Sequence, residues 1–171
     1  MTESGSAAPI GARQRMLDAL SNLAIGTASA ALLGLVVVQG WQVFARYVLN
    51  NSPSWTEPVT LLLLSTAMAL GAATGVREHR HFAFSLLADG LGERARAMAH
   101  ALAALVIAAI GAVLTGWAAV LLVDGWPVKL AGAPLPQSIN YLPLMVGGAL
   151  ITLFALDRLL QALRPARAEA R

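Results

Sequence analysis

Arg46 and Glu57 stand at the edges of two long apolar stretches, where an ionisable side chain is costly and is therefore a candidate for function. Gln39 and Gln42 precede Arg46 at helical spacing, which places all three on one face of a helix. If the two stretches are antiparallel helices, the short segment between them brings Arg46 and Glu57 close enough to interact directly or through one polar group. Two alternatives remain open. Arg46 can extend to lipid headgroups, and Glu57, three residues after Ser54, has the spacing of a capping box.

Three histidines are the remaining candidates for a haem or metal site. His79 and His81 flank Arg80 in a basic segment, and His100 begins an apolar stretch, so the three do not face one another across a helix pair. Histidines in such positions are typical of a solvated or headgroup-facing surface. The chain has no cysteine, and it has no nucleophile–base pair, phosphate loop or dinucleotide motif. We therefore predict that it is not an enzyme and that it holds no metal or cofactor.

The elements that carry these residues are predicted to be membrane helices. The chain is 57% hydrophobic and only 12% charged, whereas soluble domains carry about 25% charged residues. Four windows lack Asp, Glu, Lys and Arg: residues 19–45, 58–76, 97–123 and 130–156. Each is close to the roughly 20 residues that a helix needs to cross the bilayer core, and lipid leaves no partner for an unpaired backbone group. The sequence thus predicts an all-α integral membrane protein with four transmembrane helices, at about 20–44, 55–76, 98–123 and 140–163.

The segments outside these helices complete the predicted organisation. Residues 1–12 are predicted to be a flexible N-terminal segment, residues 13–164 the four-helix membrane domain and residues 165–171 a C-terminal tail. The first apolar window is longer than the core of a signal peptide, so we expect an uncleaved first helix. Within the polar loop 77–97, the apolar stretch around Phe82–Leu87 has the character of an interfacial segment.

The distribution of basic residues predicts the orientation. Ten of the twelve Lys and Arg residues lie in the N-terminal segment, the 77–97 loop and the C-terminal end, leaving only Arg46 and Lys129 on the other side. Positive residues favour the cytoplasmic side, so we predict cytoplasmic N and C termini. Five aromatic residues at the opposite helix ends predict an interfacial belt there: Trp41, Tyr47, Trp55, Trp126 and Tyr141. The net charge of +3 is therefore interpreted as an orientation signal and not as a nucleic-acid surface.

Small residues recur at every fourth position in three of the helices. The sets are Gly26, Ala30 and Gly34; Ala67, Gly71 and Gly75; and Ala104, Ala108, Ala112 and Gly116. Such spacing permits close approach of helix backbones. It fits packing within the four helices and equally fits docking against a larger membrane partner. The centres of all four helices lack ionisable residues, which a proton relay or an ion path requires, so the sequence predicts an accessory subunit.

The segment from Arg46 to Leu87 resembles the small membrane subunit of the tripartite ATP-independent periplasmic (TRAP) transporters, the DctQ-like family. The resemblance rests on four stretches: Arg46-Tyr47-Val48-Leu49-Asn50, Ser54-Trp55-Thr56-Glu57, Leu70-Gly71-Ala72-Ala73 and Val76-Arg77-Glu78-His79-Arg80-His81. Two positions depart from the family pattern. Pro58 replaces a second glutamate, which removes a possible charge contact, and Ser85 stands where an acidic residue is common.

The resemblance implies a function that composition alone does not show. It implies the small permease subunit of an ion-gradient-driven symporter in the bacterial inner membrane, with a large membrane subunit that carries the substrate and sodium sites. It also implies a periplasmic solute-binding protein that delivers a small organic acid. No substrate or cofactor site is expected on this chain, and its partners are those two proteins and membrane lipids, without nucleic acid. The candidate structural or interface residues are Arg46, Tyr47, Trp55, Glu57, Gly71 and Gly75.

Two other functions compete with this interpretation. The first is a membrane anchor of a redox complex that binds haem, which a Soret band in the purified chain would indicate. The second is a small self-assembling transporter whose pathway runs between protomers, which transport by the purified chain alone would indicate.

Overall fold

The computed structural model of this chain describes residues 11–51, 53–78, 93–130, 132 and 136–163, with backbone alone for 93–97 and 163. Several predictions concern residues outside this set: residues 1–10 of the flexible segment predicted over 1–12, the interfacial stretch in the 77–97 loop, the tail over 165–171, and any role of His79 or His81. They stay predictions.

Four α-helices account for most of the described residues. They are α1 (Ala12–Tyr47), α2 (Thr56–Glu78), α3 (Glu93–Asp124) and α4 (Leu142–Leu163), and a 3-10 helix over Gln137–Tyr141 leads into α4. Even α4, with 22 residues, extends about 33 Å at 1.5 Å per residue, which exceeds a bilayer core of about 30 Å. All four are long and apolar enough to cross a membrane, which confirms the predicted all-α membrane architecture.

Three of the four helices extend beyond the predicted spans, and α4 does not, since it begins at Leu142 and was predicted from about residue 140. The first was predicted from about residue 20, but α1 begins at Ala12, and α2 ends at Glu78, so Arg77 belongs to a helix and not to the predicted 77–97 loop. Hydropathy marks only the part of a helix that lies in lipid. Good helix formers such as Arg13, Gln14 and Leu17 continue the helix past that boundary.

The helices are arranged in the spatial order α1–α2–α4–α3. α2 and α4 pack against each other in the middle, while α1 lies along α2 and α3 lies along α4. The ends of this array are named here by what they contain. The loop end holds the described residues of the two connections, 48–51 and 53–55 in one and 125–130, 132 and 136 in the other. The terminal end is where α1 begins and α4 ends. Near the terminal end Leu17 of α1, Ala73 of α2 and Phe154 of α4 form one buried cluster.

One close helix approach joins α3 and α4 through two glycines. A Cβ atom at Gly111 would lie 2.6 Å from Thr152 Oγ1 and 2.9 Å from its backbone nitrogen, and one at Gly148 would lie 2.7 Å from Thr115 Oγ1. Each threonine donates its hydroxyl to a carbonyl of its own helix, Thr115 to Gly111 and Thr152 to Gly148. The interface is therefore tight, and its hydroxyl groups are satisfied without water.

A second close approach joins α2 and α4. A Cβ atom at Gly147 would lie 2.6 Å from the Ala69 Cβ and 2.8 Å from the Ala69 carbonyl oxygen. Gly147 and Gly148 are adjacent and face different neighbours, so α4 receives α2 on one side and α3 on the other. This pair of glycines places α4 between two helices.

The small-residue face predicted for the first helix packs only in part within the array. Its member Gly34 is half-buried, with Leu63 of α2 3.5 Å from its Cβ position, and docking of the face against a partner stays a prediction. Gly26 and Ala30 are exposed, whereas Ala24, Ala28 and Ala31 are buried. Four residues rotate a helix by about 400°, so a strict four-residue repeat drifts around the axis, and alternating steps of three and four keep to one face. The buried set on α1 follows that alternation.

The same drift divides the other two predicted faces. In α3, Ala104 and Ala108 are buried, but Ala112 and Gly116 are exposed, and the packed face continues through Gly111 and Ala118 instead: Ala104, Ala108, Gly111, Ala118. In α2, Ala67 is buried and Gly75 half-buried, while a Cβ at Gly71 would meet nothing within 4 Å. The role of Gly71 and Gly75 toward a partner stays a prediction.

The loop end is held by a contact between its two connections. The Ser54 hydroxyl donates to the carbonyl oxygen of Gly132 at 3.2 Å. Gly132 has a φ of 87°, which glycine adopts without strain, and a Cβ there would overlap the Ser54 carbonyl oxygen. The hydrogen bonding of α2 begins with the Trp55 carbonyl, which accepts from Val59. Ser54 therefore serves the loop contact, and the capping box proposed with Glu57 is wrong.

Candidate functional site

The predicted loop-end residues lie on the surface of the array. Arg46 is in the last turn of α1 and Glu57 in the first turn of α2, and both are exposed. Within the part of the chain that the structure describes, no ion pair joins them, so a direct pair is not formed, and an interaction through one polar group stays a prediction. A cation at a helix C-terminus and an anion at a helix N-terminus are each stabilised by the dipole of their own helix. Neither residue needs the other as a partner.

Aromatic side chains lie at the same end of the array as these charges. Tyr47, Trp55 and Trp126 are exposed at the loop end, and the rings of Trp41 and Phe44 lie 6.0 Å apart, centroid to centroid. Exposed amphipathic rings at one end of a set of membrane helices are typical of the lipid–water interface. The roles predicted for Arg46, Tyr47, Trp55 and Glu57 toward a partner remain predictions.

The terminal end holds a network of charges from three helices. Arg77 of α2 reaches Asp18 of α1 (Nη2 to Oδ1, 2.5 Å; Nε to Oδ1, 3.1 Å) and Asp157 of α4 (Nη1 to Oδ2, 3.8 Å). Arg13 of α1 forms an ion pair with the other oxygen of Asp157. The Arg77 and Asp157 side chains are only 9% and 4% exposed. We call Arg13, Asp18, Arg77 and Asp157 the ionic cluster; its two cations and two anions balance.

Polar and aromatic groups complete the surroundings of the ionic cluster. Gln161 donates its amide to Asp157 Oδ2 at 2.6 Å, and the Arg77 guanidinium carbon lies 5.6 Å from the centroid of the Phe154 ring, within cation–π range. Arg158 donates to the carbonyl oxygen of Val76 at 2.9 Å. That carbonyl belongs to the last turn of α2.

Sequence reasoning missed the ionic cluster. Arg77 was assigned to a loop as an orientation charge, and no role was assigned to Asp18 or Asp157. One available signal was Asp157 itself, an ionisable residue inside the predicted fourth helix, since such residues are rare and usually paired. Its partners are distant along the chain: Arg77 is 80 residues before it, a separation that no local spacing rule covers.

The ionic cluster has the character of a structural network and not of a metal site. Both carboxylates are held by guanidinium groups, whose positive charge opposes cation binding. In the described ranges, His, Cys, Asp and Glu do not converge in any group of three that could hold a metal ion. Two of the three histidines considered for haem, His79 and His81, lie outside those ranges.

Comparison with known proteins places the chain in a family. The family model for the tripartite ATP-independent periplasmic transporters, DctQ component, matches residues 35–165, about three quarters of the chain. That range holds Arg46, Glu57, Arg77 and Asp157. The chain is also 29% identical over 84 residues to the small permease protein SiaQ of the sialic acid TRAP transporter of Vibrio cholerae serotype O1.

This second alignment covers 48% of the chain and 49% of the relative, so the chain spans about half the length of the curated relative it matches. The family match covers far more of the chain and agrees with the four apolar helices. The chain therefore belongs to the DctQ-component family of TRAP transporters, and it is a multi-pass protein of the bacterial inner membrane.

Proposed function

We propose that this small permease subunit is the fixed membrane frame of a secondary transporter driven by an ion gradient. A large membrane subunit would carry the solute and sodium sites, and a periplasmic binding protein would deliver the solute. The observation that carries the proposal is the absence of charge from the four apolar windows of the sequence. A pathway for a charged solute requires polar groups at membrane depth, so transport chemistry belongs on a partner chain and catalysis is not expected here.

The helix packing supports a role as a frame. The approaches at Gly111, Gly147 and Gly148 bring three helices together at backbone distance, where van der Waals contacts are dense. A rigid array gives a moving transport domain a surface to move against. A small organic acid is the proposed class of solute, in keeping with the sialic acid named for the Vibrio cholerae transporter. Nothing in the described residues favours the alternative of a haem-binding anchor.

Deletion of this chain should abolish solute uptake in cells that still make the large subunit, because the moving domain would lose its frame. Uptake of labelled solute is measured in the deletion strain, and complementation with the intact chain is the control. Normal uptake without this chain would refute the proposal.

The exposed Arg46 is the proposed contact with a partner at the loop end. Arg46→Ala should reduce uptake more than Lys129→Ala, since both are exposed basic residues near that end but Arg46 lies in the last turn of α1 beside Tyr47. Because no described ion pair involves Arg46, the free energy of unfolding of the chain should change by less than about 0.5 kcal/mol. Initial uptake rates of the two variants provide the test, and equal rates would remove the claim.

We also propose that both termini are cytoplasmic, so that the loop end faces the periplasm. Arg13 and Arg15 precede the apolar part of α1, and Arg164, Arg167 and Arg171 follow α4, in agreement with the positive-inside rule. Reporter fusions at Ala8 and Ala170 should be active only with a cytoplasmic reporter. Periplasmic activity at either site would contradict this orientation.

A further inference from the structure

α1 is attached unevenly to the rest of the array. Its extensive packing is with α2, and it reaches α4 in the half near the terminal end, where Leu17 and Phe154 share a buried cluster. Ala24 and Ala28 continue this contact toward Leu150. The surfaces that meet are apolar, and apart from Phe154 the residues named here are alanine and leucine. Such surfaces attract one another weakly in lipid, because lipid tails are as apolar as the helices themselves.

An apolar interface of this kind does not by itself fix how far one helix slides along another. A shift of one turn moves a helix by about 5.4 Å and replaces one set of apolar contacts with another apolar set. Charged pairs discriminate strongly between such registers, because a shift leaves a desolvated charge without its partner. The ionic cluster lies at this interface.

We infer that the ionic cluster is a clamp that sets the register of α1 against α2 and α4. Asp157 is the centre of the clamp, because its two oxygens face Arg13 of α1 and Arg77 of α2. Asp18 of α1 forms a further ion pair with Arg77 of α2. The inference rests on the fold and the contacts alone, and it stands whether or not the proposed transport function is correct.

The burial pattern shows how the clamp is built. Arg77 and Asp157 are almost completely buried, while the side chains from α1 are half-exposed, Arg13 at 42% and Asp18 at 55%. The buried charges belong to the two central helices, α2 and α4, which already pack closely against each other at Gly147. The half-exposed charges belong to the helix that must be positioned. Loss of the clamp should therefore release the terminal end of α1 and leave the α2–α4 and α3–α4 contacts intact.

The experiment uses spin labels on cysteine pairs in the full-length chain, which has no native cysteine. One pair, Ala19→Cys and Leu160→Cys, reports on the terminal end. A second pair on the same helices, Val43→Cys and Leu142→Cys, reports on the loop end, and all four positions are exposed. Distances between the labels are measured by pulsed electron paramagnetic resonance in lipid nanodiscs.

We expect one narrow distance for each pair in the parent chain. Asp157→Asn should cause loss of the narrow terminal-end distance and leave the loop-end distance unchanged. Asp124→Asn, a change of an exposed carboxylate at the other end of the array, is the matched control and should change neither distance.

A second variant decides the outcome if Asp157→Asn does not fold. The double change Arg77→Gln with Asp157→Asn removes both buried charges, so it avoids an unpaired buried cation. The clamp predicts that this variant folds and still lacks the narrow terminal-end distance. A narrow, parent-like terminal-end distance in the double variant would overturn the inference.

Discussion

Replacing Gly111 with leucine should strongly destabilise the chain. A single Cβ at this position already lies within 3 Å of Thr152 and of Ile151, and part of that contact is backbone, which cannot rotate away. Added bulk in a packed interface costs about 1–3 kcal/mol and occasionally more, and a leucine here must separate α3 from α4. We expect a loss above about 3 kcal/mol in the free energy of unfolding.

Gly116→Leu is the matched control for this change. Gly116 lies on the same helix, five residues further on, and a Cβ there would meet nothing within 4 Å. Both changes remove a helical glycine, so they share the same gain in helix propensity. The midpoint temperature of thermal unfolding of the purified chain distinguishes them. It should be much lower than that of the parent chain for Gly111→Leu and unchanged for Gly116→Leu. Equal midpoints would mean that the α3–α4 crossing is not the tight contact described.

Replacing Asp157 with alanine should also have a large effect. It leaves Arg77, 9% exposed, without one of its two carboxylates, and it leaves Arg13 without the carboxylate it pairs with. Breaking one side of a buried ion pair costs about 3–5 kcal/mol, because the remaining charge is desolvated and uncompensated. We expect the free energy of unfolding to fall by an amount toward the lower end of that range, because Asp18 still pairs with Arg77.

A double-mutant cycle separates this effect from general damage. Arg77→Ala with Asp157→Ala should cost less than the sum of the two single changes, by about 0.5–3 kcal/mol, because residues in one ion-pair network are coupled. The free energies of unfolding of all four chains are compared under the same detergent conditions. Strict additivity would show that the two side chains do not interact.

The four spanning helices were predictable from the sequence because the bilayer imposes both a length and a composition on them. Their ends were not predictable in the same way. The thickness of the bilayer does not require α1 to begin at residue 20. The preceding segment from Ala12 is polar but favours a helix, so α1 begins there. Arg77 was predicted to lie in a loop because it is charged, but α2 continues through it to Glu78.

The contacts between helices were less predictable than the helices. The regular spacing of Gly26 and Ala30 predicted an interface, but the packing within this chain uses the face that holds Ala24 and Ala28, so contact of Gly26 and Ala30 with a partner stays a prediction. The expected interaction of Arg46 and Glu57 rested on nearness along the chain, and the described residues show no direct ion pair between them. The pair that does form, Arg77 with Asp157, depends on which helices become neighbours.

The exposed faces of the array are consistent with a subunit that works within a larger assembly. Gly71 is half-buried, with space around its Cβ position, and exposed apolar residues such as Leu33, Val37 and Trp117 line the outer helices. On an isolated membrane chain these surfaces contact lipid. In the proposed transporter, part of them contacts the large subunit, and Gly71 was predicted from the sequence to be one such point.

The most direct test of the proposed role is solute uptake by proteoliposomes that contain the large membrane subunit with or without this chain. The periplasmic binding protein, loaded with labelled organic acid, is supplied outside, and an inward sodium gradient is imposed. We expect uptake only when both membrane chains are present, and none when this chain is reconstituted alone. Full uptake by the large subunit alone would contradict the role of this chain as an essential frame, and uptake by this chain alone would contradict its role as an accessory subunit.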